Sequence, residues 1–207
     1  MRDVSQRVTS HLLGRYYHNV IDPFHEPVRR QGITDLELSS GERILDVGCG
    51  SGRGMETLRE AVGRDGSAVG IDVSVNMCRL ASQKAPDVIR GDAMALPCQR
   101  DRFDAILVSF TLELFDAKER SLVLAELRRV LHPDGRICVI APSTADPVVA
   151  PLYSRLNDAL PRLIDSRPFD VAGEIAKEGL DIVGIRRTRA PIISVDVVIA
   201  EHASTKL

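Results

Sequence analysis

Between Arg43 and Gly54 the chain passes from an apolar run into a loop of alternating glycines: Arg-Ile-Leu-Asp-Val-Gly-Cys-Gly-Ser-Gly-Arg-Gly. Gly48, Gly50 and Gly52 remove side chains where a backbone must turn sharply and where a ligand can come close to it. Met55, Leu58, Ala61 and Val62 follow at helical spacing. Strand, glycine loop and helix in this order build a nucleotide-type crevice at the carboxyl end of a parallel strand. A glycine loop alone can equally be a simple turn, so its neighbours have to decide.

The spacing narrows the ligand. A dinucleotide loop of the form G-x-G-x-x-G needs a third glycine at position 53, which is Arg53 here. No Gly-Lys-Ser/Thr occurs anywhere, so the phosphate-cradling G-x-x-x-x-G-K-[ST] loop is absent too. Asp46 stands two residues before the first glycine. A carboxylate there opposes a pyrophosphate and suits a ligand carrying a cationic amino group and a sulfonium.

Two further strands end in acids. Ala68-Val69-Gly70-Ile71-Asp72 places Asp72 twenty residues beyond Gly52, where a carboxylate accepts from the ribose hydroxyls of a bound nucleoside. An acid at a strand end is otherwise an N-cap or a solvated residue, and Ser74 is the competing cap here. Asp87-Val88-Ile89-Arg90-Gly91-Asp92-Ala93 repeats the pattern at Asp92. Asp46, Asp72 and Asp92 at one edge of a sheet are a far more specific signal than any one of them.

With those residues in hand, the chain resembles the class I S-adenosylmethionine-dependent methyltransferases. The match is carried by Ile-Leu-Asp-Val-Gly-Cys-Gly-Ser-Gly, Gly-Ile-Asp-Val-Ser-x-x-Met and Gly-Asp-Ala-Met-Ala-Leu-Pro. It continues through Phe103-Asp104-Ala105-Ile106-Leu107-Val108-Ser109-Phe110 and Leu127-Arg128-Arg129-Val130-Leu131-His132-Pro133-Asp134-Gly135-Arg136. The branch it is most similar to is the small-molecule group that includes the ubiquinone and menaquinone biosynthesis enzymes. The resemblance runs from about Gly41 to Pro142, roughly half the chain.

This resemblance implies S-adenosyl-L-methionine as cofactor and assigns residues to it. The backbone of Gly48, Cys49, Gly50 and Gly52 packs against the methionyl part, and Asp46 orients its amino group. Asp72 holds the ribose, with Val73 and Met77 flanking the adenine. Asp92 accepts from the adenine amino group beside the backbone of Ala93. Ser109 and Phe110 line the cleft near the transferring methyl. From spacing alone, Val73 and Met77 read equally as core.

The reacting side is less explicit. Transfer from a sulfonium needs alignment more than a catalytic side chain, unless the acceptor must lose a proton. Tyr17, His18 and Glu113 are the candidates for handling such a proton. Tyr16, Phe24, His25, Thr111, Tyr153 and Phe169 are candidate acceptor walls, and each has a plain packing alternative. His11, His18 and His25 recur every seven residues, but Pro23 breaks the helix that would align them, so no metal site is expected. Ser109-Phe110-Thr111-Leu112 replaces the Asn/Asp-Pro-Pro-aromatic pattern of nucleic-acid amino methyltransferases, and Pro97-Cys98 precedes the fourth strand, where a cytosine-C5 nucleophile would follow it. Only Tyr153 stands where quinone methyltransferases carry paired tyrosines.

Composition bounds the rest. With 207 residues, 44% hydrophobic and 27% charged, the chain fits one globular domain with a substantial core. A net charge of −2 gives no basic field for nucleic acid. No apolar run approaches the ~18 residues of a membrane span, and the first residues lack a signal-peptide core. Cys49, Cys78, Cys98 and Cys138 are dispersed without C-x-x-C, so we expect free thiols and a cytoplasmic setting.

Organisation along the chain predicts an α/β fold: a Rossmann-like, doubly wound sheet of seven strands, mostly parallel, with an antiparallel C-terminal pair. Strands are expected at 43–47, 67–72, 87–91, 103–109 and 135–141, with helices between, including 75–84 and 117–131. Residues 132–135 form a turn before the fifth strand. Helices are expected near 147–164 and 168–178, then strands over 182–188 and 192–200. Residues 1–20 read as a helix that Pro23 and Pro27 end or bend, followed by an irregular or short helical 32–40. One domain spans 1–207: a helical lid over 1–40, a cofactor core over 41–142, and substrate-side helices with a hairpin over 143–207. The function expected is transfer of a methyl group to a small acceptor, lipophilic or quinone-like. The alternatives are a catalytically silent S-adenosylmethionine-binding interaction protein and an NAD-dependent oxidoreductase. Oligomeric state is not legible.

Overall fold

The structure is a computed structural model, and it describes residues 22–144, 168–190 and 193–203. The chain runs α1 (Asp22–Asp35), β1 (Arg43–Val47), α2 (Arg53–Val62), β2 (Ser67–Asp72), α3 (Val75–Ala81), β3 (Val88–Arg90) and β4 (Phe103–Ser109). A 3-10 turn (Leu112–Leu114), α4 (Ala117–Val130), β5 (Leu131–Pro142), α5 (Val171–Lys177), β6 (Leu180–Ala190) and β7 (Ile193–His202) follow. The strands form one sheet in the order β3-β2-β1-β4-β5-β7-β6. β1 pairs in parallel with β2 and β4, β2 with β3, and β4 with β5. β7 runs antiparallel between β5 and β6. The α/β fold expected from the sequence is the fold observed.

Strand alternation divides the core into two layers. Leu45, Val47, Ile106 and Val108 face one way, toward Val123, Leu124 and Leu127 of α4 and Ile175 of α5. Ile44, Ala105 and Leu107 face the other, toward Val28 and Ile33 of α1, Leu36 just past it, and Met55, Leu58 and Val62 of α2. Asp46 shares the parity of Ile44, so it points to the α1–α2 side. After β3 the chain returns to place β4 beside β1, and ligands of such sheets bind at the carboxyl ends of the strands flanking that reversal.

The helix over residues 1–20 that Pro23 and Pro27 are read as ending or bending lies outside the described residues, and Pro27 itself stands inside α1, which runs to Asp35. Pro27 is exposed, and Glu26 pairs with both Arg29 (2.8 Å) and Arg30 (2.9 Å) across the same turns. Residues 132–135 do not precede the fifth strand but interrupt it. Leu131 already pairs with Phe103, and the ladder resumes at Arg136 opposite Ala105. A Cβ at Gly135 would lie 2.9 Å from the carbonyl of Asp104, so the irregularity packs directly on β4. α3 ends at Ala81, short of Lys84. The expected helices over residues 1–20 and 147–164 lie outside the described residues.

Candidate functional site

The glycine loop owes its shape to backbone no other residue type adopts easily. Gly48, Gly50 and Gly52 have φ of 75°, 54° and 76°. The amides of Gly48 and Cys49 both donate to the carbonyl of Ile71, at 2.8 and 3.1 Å, and tie the loop to β2. A Cβ on Gly48 would lie 2.2 Å from Thr111 Oγ1, and one on Gly52 would lie 2.8 Å from Ala81 Cα. A Cβ on Gly50 would meet nothing within 4 Å. The loop is therefore pinned on two sides and open at its middle, as a cradle for a ligand requires.

Asp72 sits over that opening. Its Oδ2 accepts from the Gly50 amide at 3.0 Å and its Oδ1 from the Ser74 amide at 2.8 Å. Each oxygen keeps a second lone pair, the acceptor set a cis-diol needs. Burial holds this carboxyl above the ordinary range, against both amide donors. The rival N-cap role falls to Ser74, whose hydroxyl accepts from the Met77 amide at 3.5 Å. Met77 is buried yet joins neither of the two main core clusters. Half-buried Val73 and buried Ala93 lie on the same rim, just past β2 and β3. Asp92 caps its own turn, Oδ1 accepting from the Met94 amide at 2.9 Å.

Asp46 is buried at the end of β1. Its neighbour, missed in the sequence reading, is Arg29 of α1, itself only 9% exposed. A Cβ on Gly54 would lie 3.1 Å from Arg29 Cδ and 3.5 Å from Asp46 Oδ2, so both reach the start of α2. The one signal was a cation on the buried stripe that carries Val28 and Ile33. Acid and cation side by side fit an α-amino-acid group. Cys49 is buried, and desolvation pushes its thiol well above the usual range, so it packs and does not attack.

Across the reversal, β4 ends in a strained turn. Phe110 has φ 52°, a rare conformation for an aromatic residue. Its amide donates to Ile140 at 2.8 Å, and its ring stacks on His25 of α1, with centroids 3.6 Å apart and planes 9° from parallel. The Thr111 hydroxyl donates back to the Ser109 carbonyl at 3.1 Å. The Ser109 hydroxyl and Glu113 Oε2 are buried without a hydrogen-bond partner among the described residues. Burial pushes the Glu113 carboxyl up to about 8. Of the proton-handling candidates only Glu113 falls within the described residues; Tyr17 and His18 lie outside them, as do Tyr16 and Tyr153.

Acidic groups over a pinned, open glycine loop suit a nucleoside with a cationic amino-acid tail. Comparison with known proteins agrees. A family model described as a methyltransferase domain matches residues 44–135. The demethylmenaquinone methyltransferase of Staphylococcus saprophyticus is 32% identical over 162 residues, covering 74% of this chain and 67% of that protein. That of Oceanobacillus iheyensis is 34% identical over 126 residues, covering 58% of this chain and 52% of that protein. The chain thus spans between about half and two thirds of the length of these relatives. Among solved structures, an S-adenosylmethionine-dependent methyltransferase from Methanosarcina mazei superposes with a TM-score of 0.68 at 20% identity, covering 83% of this chain and 98% of that one.

Proposed function

The chain belongs to the class I S-adenosylmethionine-dependent methyltransferases, and from that premise we propose that it moves a methyl group onto a small acceptor held over the ends of β4 and β5. The observation that carries the reading is the Asp72 carboxylate, bound to the Gly50 and Ser74 amides and keeping lone pairs over the open middle of the loop. S-adenosylmethionine, the family's cofactor, supplies a methyl on a positively charged sulfur, and the methyl–sulfur bond breaks with its electron pair left on sulfur. The protein's share is alignment and exclusion of water.

In this reading Asp72 accepts from both ribose hydroxyls, and Val73 and Met77 flank the adenine. Asp92 and the Ala93 backbone meet the adenine edge. Asp46 receives the amino group, with Arg29 beside it for the carboxylate, and Gly48 to Gly52 pack along the methionyl chain. Ser109 and Phe110 border the methyl's path, and the His25 ring on Phe110 closes that border from α1. Residues 1–40 serve as the lid of a single domain. The acceptor is lipophilic or quinone-like, a reading supported by the names of the relatives and by the apolar surroundings of Phe110, Leu112 and Phe115. No helix of the described residues is long and apolar enough to cross a membrane. All four cysteines are free, which supports a cytoplasmic setting.

The test is incubation with methyl-labelled S-adenosylmethionine and a lipid extract of cells. Label in an extractable small molecule supports the reading. Cofactor binding without label in any product would favour the catalytically silent alternative.

A further inference from the structure

In the methyltransferase reading Arg29 meets the cofactor's carboxylate, and the fold holds this cation from two sides. α1 descends into the molecule from the crevice. In its first turn the His25 ring stacks on Phe110, just past β4. Beyond its other end the carbonyls of Leu36 and Glu37 accept from Arg136, which pairs with Ala105 near the start of β4. Helix side chains lean toward the N-terminus of their helix, so Arg29 leans up toward the crevice. There its Nη1 donates to Glu26 Oε2 at 2.8 Å, one turn nearer the opening.

On its other flank Arg29 packs against bare backbone. A Cβ on Gly54, in the first turn of α2, would lie 3.1 Å from Arg29 Cδ and 3.5 Å from Asp46 Oδ2. Gly54 is helical and lacks the left-handed φ of Gly48, Gly50 and Gly52. Its backbone would accept alanine, the better helix former, so what glycine provides here is room for Arg29. Ion pairs one turn apart are ordinary chemistry on a helix surface, and Arg30 on Glu26 is of that kind, its side chain 67% exposed. The Arg29 side chain is 10% exposed. A guanidinium fixed in such a place gives up its freedom before the ligand arrives, which lowers the ordering cost of gripping a carboxylate.

We propose that Glu26 and Gly54 are positioning residues that clamp the Arg29 guanidinium at the methionyl end of the crevice, and so make the site specific for a nucleoside that carries an amino-acid tail. Glu26 holds the guanidinium by charge, and Gly54 leaves the space in which its stem lies. Glu26, Arg29, the ligand's carboxylate, its ammonium and Asp46 then alternate in sign. The proposal rests on the methyltransferase reading and extends it to two residues that act through Arg29.

Calorimetric titration of the full chain with S-adenosylhomocysteine and with 5′-methylthioadenosine, a nucleoside of the same kind without the amino-acid tail, tests this. Glu26→Ala and, independently, Gly54→Ala should weaken S-adenosylhomocysteine at least fivefold and leave 5′-methylthioadenosine within twofold. Glu26→Gln, which keeps an oxygen for Arg29, should stay within threefold of the wild type. On an Arg29→Ala background, Glu26→Ala should cause no further loss, because its effect passes through the missing side chain. That arm is read with S-adenosylhomocysteine alone, so it decides even where 5′-methylthioadenosine binds too weakly to titrate. Equal weakening of both ligands, as a merely structural role in α1 would give, overturns the proposal. So does unchanged S-adenosylhomocysteine affinity in Glu26→Ala or Gly54→Ala, or a further loss on the Arg29→Ala background. In each of these cases the methyltransferase reading stands if the wild type binds S-adenosylhomocysteine; its failure to do so would instead remove that reading.

Discussion

The Asp72 carboxylate accepts a hydrogen bond from the Gly50 amide at 3.0 Å, across twenty-two residues of chain. The tip of β2 and the centre of the glycine loop are thereby one object. The bond turns one carboxylate oxygen toward the loop, while the Ser74 amide holds the other. The acid proposed for the ribose is thus held in place without a ligand, which would lower the ordering cost of binding.

Asp72→Ala should weaken S-adenosylmethionine binding by about 1.5–3 kcal/mol, the range for losing hydrogen bonds to a charged group. Calorimetric titration of the purified protein checks this. An unchanged affinity would remove Asp72 from the ribose site.

Gly48→Ala should be damaging twice over. Its φ of 75° disfavours a side chain, and the new Cβ would lie 2.2 Å from Thr111 Oγ1. The expected loss is roughly 2 kcal/mol or more of stability from backbone strain and overpacking. Adding Thr111→Ala removes the oxygen and Cγ2 contacts and should recover part of it, but not the strain. Urea unfolding of the two variants separates these contributions.

The pH dependence of stability has a definite sign at Glu113. Burial raises its carboxyl from the ordinary 4.5 to about 8 in the folded protein. Between those values the unfolded chain has released the proton and the folded chain retains it. The folded state binds more protons, so stability falls as pH rises through that window and is fully present below it, by up to roughly 1 kcal/mol per pH unit. Glu113→Gln should flatten this part of the profile. Urea midpoints near pH 5 and pH 8 for the two proteins give the comparison.

Arg120 joins α4 to α5 through Glu174 and is itself buried. Arg120→Ala would leave Glu174 without its partner, at a cost of about 3 kcal/mol. Cofactor affinity should be unchanged, because nothing in the glycine loop touches this pair. Thermal melts paired with calorimetry test both halves.

The central strands were legible because β1 and β4 are buried along nearly their whole length and read as largely apolar runs. The expected 43–47, 67–72 and 103–109 coincide with β1, β2 and β4. The C-terminal pair was legible as antiparallel, but its insertion with β7 against β5 was not, since pairing partners distant in sequence leave no local mark. α1 was not legible, because Pro23 and Pro27 read as helix breakers, yet it runs from Asp22 to Asp35 with Pro27 inside it. The acids of the rim were legible from their strand ends. Arg29 was not, because its relation to Asp46 exists only once α1 folds onto the sheet. Nor does a phenylalanine announce a positive φ; at Phe110 packing against His25 and the bond to Ile140 accompany it.

Direct titration with S-adenosylmethionine and with NAD tests the account at its root. An acidic rim with Arg53 at the dinucleotide glycine position should bind the sulfonium nucleoside with micromolar affinity, of order −8 kcal/mol, and give no heat with NAD. NAD binding in its place, or heat from neither ligand, would contradict the account.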